Sequence, residues 1–413
     1  MSGHEINEQD HWYATFLVML LLGTFFMGLL SQRGRLTVAA GSDAALFCAL
    51  VLLYFTAVNG RSVAYFVGWV RVYPERAFFL PLGLLFLYLL WAVGRVSMRP
   101  LDLELALFLV LIPTALVWRE QSAAQGWGDI VLGWGFLLIP LVIGPFHHGL
   151  SSAFNWGLRA GALSLPALFV VLGQPGWFRP LRLSMDSSTH FSSAEAVGDD
   201  VILTPVQPRN AVRGVRLLLA VMYVWYSVEF GALPQGTLGG LVNAFDLIAI
   251  VLVLYLLALA GWQPRLGLSP QLARTDAREV GVNFGAILLT VMPLALLLRF
   301  VAFSSSLPSW LEMVGRLIVI FAFTGLPEEI LFRGVIHNFI ADHLGNGHPA
   351  LFLSSLIFGA AHLDNPPEVW VYCGLAAIAG WFYGRTYLRT GKVITSAVVH
   401  TLVDWVWSVF FSG

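Results

Sequence analysis

Apolar runs long enough to cross a membrane recur along almost the whole of this chain. A spanning helix needs about 20 mostly apolar residues, and the first half of the sequence offers 12–30, 44–58, 77–94, 103–117, 130–146 and, more weakly, 150–172. Of the 413 residues, 58% are hydrophobic and 11% are charged, whereas about 25% are charged in an ordinary soluble domain. Because folding in water could not bury this much apolar surface, the sequence predicts an all-α, polytopic transmembrane helical bundle.

The second half continues the pattern with the runs 217–233, 240–261, 280–303, 311–340, 349–362, 369–388 and 393–411. The run 311–340 is too long for one straight span. We expect it to be divided at Gly325 and Pro327, with a new helix beginning at Glu328, because proline suits the first turn of a helix. The total is roughly twelve or thirteen membrane segments.

A polar stretch rich in Ser, Asp and Pro separates the two halves at 178–216. It predicts a loop outside the membrane, between an N-terminal membrane domain at 1–177 and a C-terminal membrane domain at 217–413. The N-terminal domain shows no catalytic constellation, so the sequence leaves its role open.

Positive charges are distributed unevenly among the loops. They cluster in 265–278 and in 385–392, which includes the only lysine, Lys392, whereas 304–309 and 363–368 carry none. The positive-inside rule therefore predicts that the two basic loops face the cytoplasm. The preference for arginine over lysine suggests a bacterial chain and hence the inner (plasma) membrane. A net charge of −1 gives no sign of a nucleic-acid partner. Two cysteines inside apolar runs predict neither a disulfide framework nor a thiolate metal site.

Ionisable side chains inside apolar runs are the first candidates for function, because each costs a few kcal/mol at the centre of a bilayer. Glu329 and Arg333 are four residues apart, so they share a helix face and can form an ion pair. Glu328 points about 100° away from Glu329 on a helix. We expect it to be unpaired in a dry environment, where it could act as a general base.

Two histidines follow in later runs. His362 ends an apolar run and comes after Phe358, Gly359 and two alanines, and such small residues let a neighbouring helix or a substrate approach closely. His400 and Asp404 are four residues apart and lie on one face of the last run. Three helices thus offer two carboxyl groups and two imidazoles to a common interior, which is enough to activate water and stabilise an oxyanion.

This pattern resembles the CAAX-protease and bacteriocin-processing (CPBP, or Abi) family of glutamic intramembrane endopeptidases. The matching residues are Pro-Glu-Glu-Ile-Leu-Phe-Arg-Gly at 327–334, Phe358 to His362, Gly380, Thr390-Gly391 and the His400…Asp404 pair. The resemblance implies a protease core at about 280–411 that cleaves a membrane-delivered protein or peptide near its end, with membrane lipid around it and without a cofactor.

The resemblance also implies roles for the side chains. Glu328 and His362 would activate a water molecule, and His400 with the residue at 404 would stabilise the oxyanion. Glu329, Arg333 and Phe358 would support them. Better-known eukaryotic members have Asn where this chain has Asp404. An ionised Asp cannot donate a hydrogen bond, so Asp404 is either protonated, or it orients His400, which then donates alone.

Two other interpretations stay open at this point. Two histidines and two carboxylates also suit zinc or manganese, although the His-Glu-x-x-His motif of zinc-type membrane proteases is absent. A non-catalytic membrane protein, such as an immunity factor or a transporter, could also carry these residues, and a helix broken at 325–327 would suit a transporter.

Overall fold

A computed structural model describes residues 38–92 except 59 and 73, 110–117 except 112 and 116, 217–228 except 226 and 227, 236–268 except 239–241, 272–344, 347–363 and 368–412. Almost all of these residues are helical, which confirms the all-α fold. The runs 12–30, 130–146 and 150–172 and the polar loop 178–216 lie outside the described residues. The count of twelve or thirteen segments and the division into domains therefore stay predictions.

The chain divides into two compact units, and the boundary between them falls inside one long helix, after Pro327. In the first unit the described elements are α1 (Val38–Val58), α2 (Gly60–Val72), a 3₁₀ turn (Pro74–Phe78), α3 (Phe79–Ala92), the antiparallel pair β1 (Thr237–Leu238) and β2 (Val242–Asn243), α4 (Ala244–Leu259), a second 3₁₀ turn (Gln263–Leu266) and the part of the long helix α6 (Trp310–Leu344) up to Pro327. Asn243 caps α4, because its side chain accepts a hydrogen bond from the Phe245 N–H at 2.9 Å.

The second unit contains all of the candidate catalytic residues. Its described elements are α5 (Arg274–Leu297), β3 (Ala302–Phe303), the rest of α6 (Trp310–Leu344), α7 (Gly347–Ala360), α8 (Val369–Thr390), α9 (Val393–Phe410) and β4 (Phe411–Ser412), which pairs antiparallel with β3.

Four described helices are long and apolar enough to cross a membrane: Gly41–Val58, Arg274–Leu297, Trp310–Leu344 and Val393–Phe410. Arg76–Ala92, Ala244–Leu259 and Gly347–Ala360 are apolar but shorter. The protein is thus an integral, multi-pass membrane protein.

The long helix α6 is continuous, so the predicted break at Gly325 and Pro327 is wrong. Its α-helical parts, Trp310–Ile320, Leu326–Glu329 and Asn338–Leu344, alternate with π-helical parts, Phe321–Gly325 and Ile330–His337. Pro327 has no N–H, and its ring presses on the carbonyl four residues before it. The wider π turn just ahead of it, in which the Leu326 N–H donates to the Phe321 carbonyl, accommodates the ring without ending the helix. Because α6 is not broken, it no longer offers the broken helix that would suit a transporter.

Helices α7 and α8 pack at very short range through Gly359. A Cβ at this position would lie 2.5 Å from the backbone oxygen of Cys373 and 2.7 Å from the Cβ of Ala377. The expected role of the small residues before His362 is therefore confirmed. Neither Cys373 nor Cys48 forms a disulfide.

The two ends of the second unit are closed by different contacts. At one end Lys392 Nζ lies 2.6 Å from Asp276 Oδ2, and Arg385 Nη1 donates to Asn283 Oδ1 at 2.9 Å. These bonds place the start of α5 beside the α8–α9 turn, as expected if the two basic loops share one side of the membrane. At the other end the short β3–β4 pair joins the segment after α5 to the end of α9.

Candidate active site

Glu329, on α6, is the centre of a buried polar cluster. Its side chain has no exposed surface, and Arg333 Nε lies 3.1 Å from Glu329 Oε2, which confirms the predicted ion pair. The Ser396 hydroxyl donates to the same oxygen. The other oxygen, Oε1, lies 3.0 Å from His400 Nδ1. A buried carboxylate costs several kcal/mol unless it is paired and hydrogen-bonded. Here the ion pair with Arg333 and the hydrogen bonds with Ser396 and His400 meet that requirement.

Arg333 holds this cluster to α7 and α8. Its Nη2 donates to the Gly380 carbonyl at 2.6 Å, and its guanidinium lies over the rings of Phe358 at 4.9 Å and Tyr383 at 5.6 Å. A Cβ at Gly380 would lie 2.9 Å from Phe358 Cδ1. Glycine is therefore needed at 380, because the ring and the guanidinium fill the space in front of it.

His400 lies between Glu329 and two further carboxylates. Its Nε2 is 3.3 Å from Asp404 Oδ2 and 3.8 Å from Glu328 Oε2. The ring of Tyr383 stacks on the imidazole, with centroids 4.5 Å apart and an angle of 14° between the planes. Since Nδ1 faces an acceptor on Glu329, it carries a proton in this arrangement. A second proton is needed near Nε2, on the ring or on one of the two carboxyl groups, because two acceptors would otherwise face each other.

Glu328 and Asp404 form the partly exposed side of this cluster. About a third of each side chain is exposed, 35% and 36%, whereas Glu329 is fully buried. The expectation that Glu328 is unpaired is therefore wrong, because it lies beside His400. The expected dry environment belongs to Glu329 instead. The angular separation of two neighbouring helix positions explains the difference, since only one of them can point into the helix packing.

His362 lies in the turn just after α7 and is half-buried. Its Nδ1 is 2.9 Å from the Phe358 carbonyl oxygen. A carbonyl oxygen only accepts, so Nδ1 carries the proton, and in the neutral ring the lone pair is on Nε2. The ring also contacts Tyr372, with centroids 4.7 Å apart.

Phe358 connects the two histidines. Its ring centroid is 5.0 Å from that of His362 and 5.5 Å from that of His400, and the side chain is almost fully buried. It also packs edge-on against Phe332 of α6 at 4.8 Å. The role of the matched Phe358 is thus to space the two imidazoles and to cover the Arg333 guanidinium.

The structure brings Glu328, His400 and Asp404 together directly. His362 contacts the ring of Phe358, which also contacts His400. Two side chains in this cluster were missed by the sequence analysis, Ser396 and Tyr383. Ser396 had a signal, since it precedes His400 by four residues and so lies on the same helix face. Tyr383 had none, because an aromatic residue in an apolar helix is ordinary packing.

Metal binding was tested by the positions of candidate ligands. Among the described residues, no group of three or more His, Cys, Asp or Glu side chains is arranged to hold a metal ion. The expectation of chemistry without a cofactor stays a prediction.

Residues 308–406 match the family model described as Type II CAAX prenyl endopeptidase Rce1-like. No curated protein and no solved structure matches the chain significantly. The matched segment supports a CAAX-type intramembrane protease in general. The matched segment includes every side chain of the cluster described above, and the match confirms the resemblance of this part of the chain to the CAAX-protease and bacteriocin-processing family.

Proposed function

We propose that this protein is a glutamic-type intramembrane endopeptidase that hydrolyses a peptide bond near the end of a membrane-delivered protein. The family match supports a CAAX-type protease. The observation that carries the finer assignment is the position of His400 Nε2, which lies within 3.8 Å of two half-open carboxyl groups, those of Glu328 and Asp404. A substrate carbonyl and a water molecule can reach these groups, whereas Glu329 is shielded behind them.

The water molecule is activated by Glu328 and His362. The partly exposed carboxylate of Glu328 takes a proton from the water molecule while the water oxygen attacks the carbonyl carbon of the substrate. His362 helps to hold the water, since its Nδ1–H donates to Phe358 and its Nε2 can accept a hydrogen bond. A C–O bond forms between the water oxygen and the carbonyl carbon, and the electrons of the carbonyl double bond move to the carbonyl oxygen.

The resulting oxyanion is stabilised by His400. Its Nε2–H donates to the oxyanion, while Glu329 keeps Nδ1 protonated and the ring in place. Asp404 acts mainly as an acceptor for the Nε2 proton and so keeps the imidazole charged before the substrate arrives. When the intermediate collapses, the C–N bond breaks, and Glu328 returns its proton to the leaving amine.

We place the substrate among proteins that reach the site through the membrane with a terminal tail, and the protein itself in a bacterial inner membrane. The chemistry is metal-free. Four side chains of the matched segment are sufficient for the proton transfers, so no cofactor is needed to balance them.

The test compares new peptide termini in the membrane fraction of cells that express the wild-type protein or single variants, read by mass spectrometry. Glu328→Gln and His362→Ala are expected to remove the termini that the wild-type protein produces, while remaining inserted and folded. Two matched controls keep the cleavage. His343→Ala removes a histidine whose Nδ1 also lies near the carbonyl four residues before it, that of Phe339, at 2.7 Å. Glu279→Gln removes a carboxylate on α5. Unchanged cleavage by both Glu328→Gln and His362→Ala would exclude the assignment.

A further inference from the structure

Ser396 lies one turn before His400 on α9 and has no exposed surface. Its hydroxyl oxygen contacts two groups on other helices. It donates to the Glu329 carboxylate of α6, and it lies 2.8 Å from the backbone carbonyl oxygen of Tyr383 on α8. One small side chain therefore joins three helices directly behind His400.

Two contacts restrict the Glu329 carboxylate. Oε2 accepts a hydrogen bond from Ser396 and forms an ion pair with Arg333 Nε at 3.1 Å, and these contacts favour one orientation of the group. The second oxygen, Oε1, is then fixed against His400 Nδ1 at 3.0 Å. Tyr383 acts at two points, since its carbonyl contacts Ser396 and its ring stacks on the imidazole.

We propose that Ser396 is a positioning residue for His400. Its hydroxyl fixes the orientation of Glu329, and Glu329 in turn fixes the protonation and the direction of the imidazole. The inference rests on the proposed function for its effect on cleavage, but its effect on the imidazole can be measured without cleavage.

A buried serine can also be simple packing, in which case its hydroxyl commonly bonds to its own helix. Ser408, on the same helix, is partly buried and bonds in this way. It continues the spacing of four from Ser396 through His400 and Asp404, and its hydroxyl donates to the Trp405 carbonyl of α9 at 3.0 Å. Ser396 differs because the two acceptors that its hydroxyl faces, on Glu329 and Tyr383, lie on other helices. Ser408 is therefore the matched control.

The kinetic arm uses the purified, reconstituted full chain and a peptide that the wild-type protein cleaves. Ser396→Ala is expected to lower kcat by about 10- to 100-fold with little change in KM, the range that the loss of a hydrogen bond to a charged group allows. Ser396→Thr keeps a hydroxyl and is expected to recover most of the rate. Ser396→Cys keeps the volume with a weak donor and is expected to behave like Ser396→Ala. Ser408→Ala leaves both constants unchanged. Full activity of either variant, Ser396→Ala or Ser396→Cys, would overturn the proposal. The test therefore needs only one of the two to fold.

The spectroscopic arm does not depend on cleavage. The chain has ten histidines, and ¹⁵N labelling of their rings with a His400→Gln variant identifies the Nδ1–H signal of His400. This signal is expected to shift or broaden in Ser396→Ala and to persist in Ser396→Thr and Ser408→Ala. An unchanged signal in Ser396→Ala overturns the positioning role even if the protein cleaves nothing. Conversely, a changed signal in a protein without activity supports the positioning role and removes the proposed function.

Discussion

The contact between Asp404 and His400 bears on whether Asp404 accepts or donates a hydrogen bond in the site. An ionised carboxylate only accepts hydrogen bonds, and its Oδ2 lies 3.3 Å from His400 Nε2. Glu329 already occupies Nδ1 of the same ring. With Asp404 ionised, acceptors face both ring nitrogens, and this geometry favours an Asp404 that orients and charges His400 over one that donates to the oxyanion.

This geometry predicts the effect of Asp404→Asn. An amide can present its NH₂ group to Nε2, which favours the neutral ring with its lone pair at Nε2 and removes the donor for the oxyanion. We expect kcat to fall by up to about 10⁴-fold, the loss seen when the carboxylate that orients a catalytic histidine is replaced by an amide. The measurement is kcat and KM for one peptide, with Asp342→Asn near the end of α6 as the control. Wild-type activity in Asp404→Asn would instead assign a donor role to position 404.

Chemistry without a metal is a prediction that concerns single side chains. Nδ1 of His400 faces Glu329 and Nδ1 of His362 faces a backbone carbonyl, contacts that a metal-binding histidine makes as well. Among the described residues, however, no group of three or more His, Cys, Asp or Glu side chains is arranged to hold a metal ion. We therefore expect cleavage to continue at the same rate after dialysis against EDTA and 1,10-phenanthroline. A loss of activity that is restored by adding zinc or manganese would show that the metal-dependent alternative is correct.

At the scale of helices, the site depends on how closely α7 approaches α8. Gly359 has the backbone of Cys373 and the side chain of Ala377 at distances that leave no space for a Cβ. This contact lies one turn before His362 and next to Phe358. The close approach that stabilises the packing of α7 on α8 therefore also places the imidazoles of His362 and His400 around the Phe358 ring.

Gly359→Ala is expected to lower the free energy of unfolding by about 1–3 kcal/mol, because overpacking forces the two backbones apart. Cleavage should fall as well, since Phe358 moves with the helix. Gly374→Ala is a matched control on α8, where an added Cβ would have no neighbour within 4 Å and alanine favours the helix. Thermal unfolding in detergent, followed by tryptophan fluorescence, measures the stability of both variants. Equal stability of the two variants would contradict the packing argument.

Much of this arrangement could be predicted from the sequence, because helix spacing alone puts residues four apart on one face. Glu329 with Arg333 and His400 with Asp404 follow from that rule. The rule cannot say which of two adjacent carboxylates points inward, so the dry environment was assigned to Glu328, although it belongs to Glu329. That choice depends on how α9 packs against α6, which local spacing does not contain.

The continuity of α6 could not be predicted for a related reason. A Gly and a Pro two residues apart usually end a helix, and only the π turn at Phe321–Gly325 reconciles Pro327 with a continuous rod. π turns have no simple sequence signature. Residues beyond this turn are rotated relative to a regular α-helix, so it also contributes to the direction in which Glu328 and Glu329 point.

For the whole molecule, the distribution of charge predicts how it lies in the membrane. The bond between Lys392 and Asp276 brings the α8–α9 turn to the start of α5, so the basic residues at 274–278 and 385–392 meet at one end of the second unit. Residues 304–307, which carry no positive charge, follow β3 at the opposite end, where β3 pairs with β4. His400 is seven residues into α9, roughly 10 Å from its basic end, so a substrate has to enter the bilayer profile to reach it.

This orientation predicts which positions a membrane-impermeant maleimide can reach in intact cells. With Cys48 and Cys373 replaced by serine, Ser305→Cys is expected to react from outside, because it lies in an exposed loop without positive charge. Thr275→Cys, exposed at the basic end of α5, is expected to react only after the membrane is made permeable, because cytoplasmic loops carry the excess of Arg and Lys. The cysteine-free protein is the background control, and both variants must label equally in detergent. The reverse pattern would place the basic end outside, and the substrate would then have to approach His400 from the opposite side of the membrane.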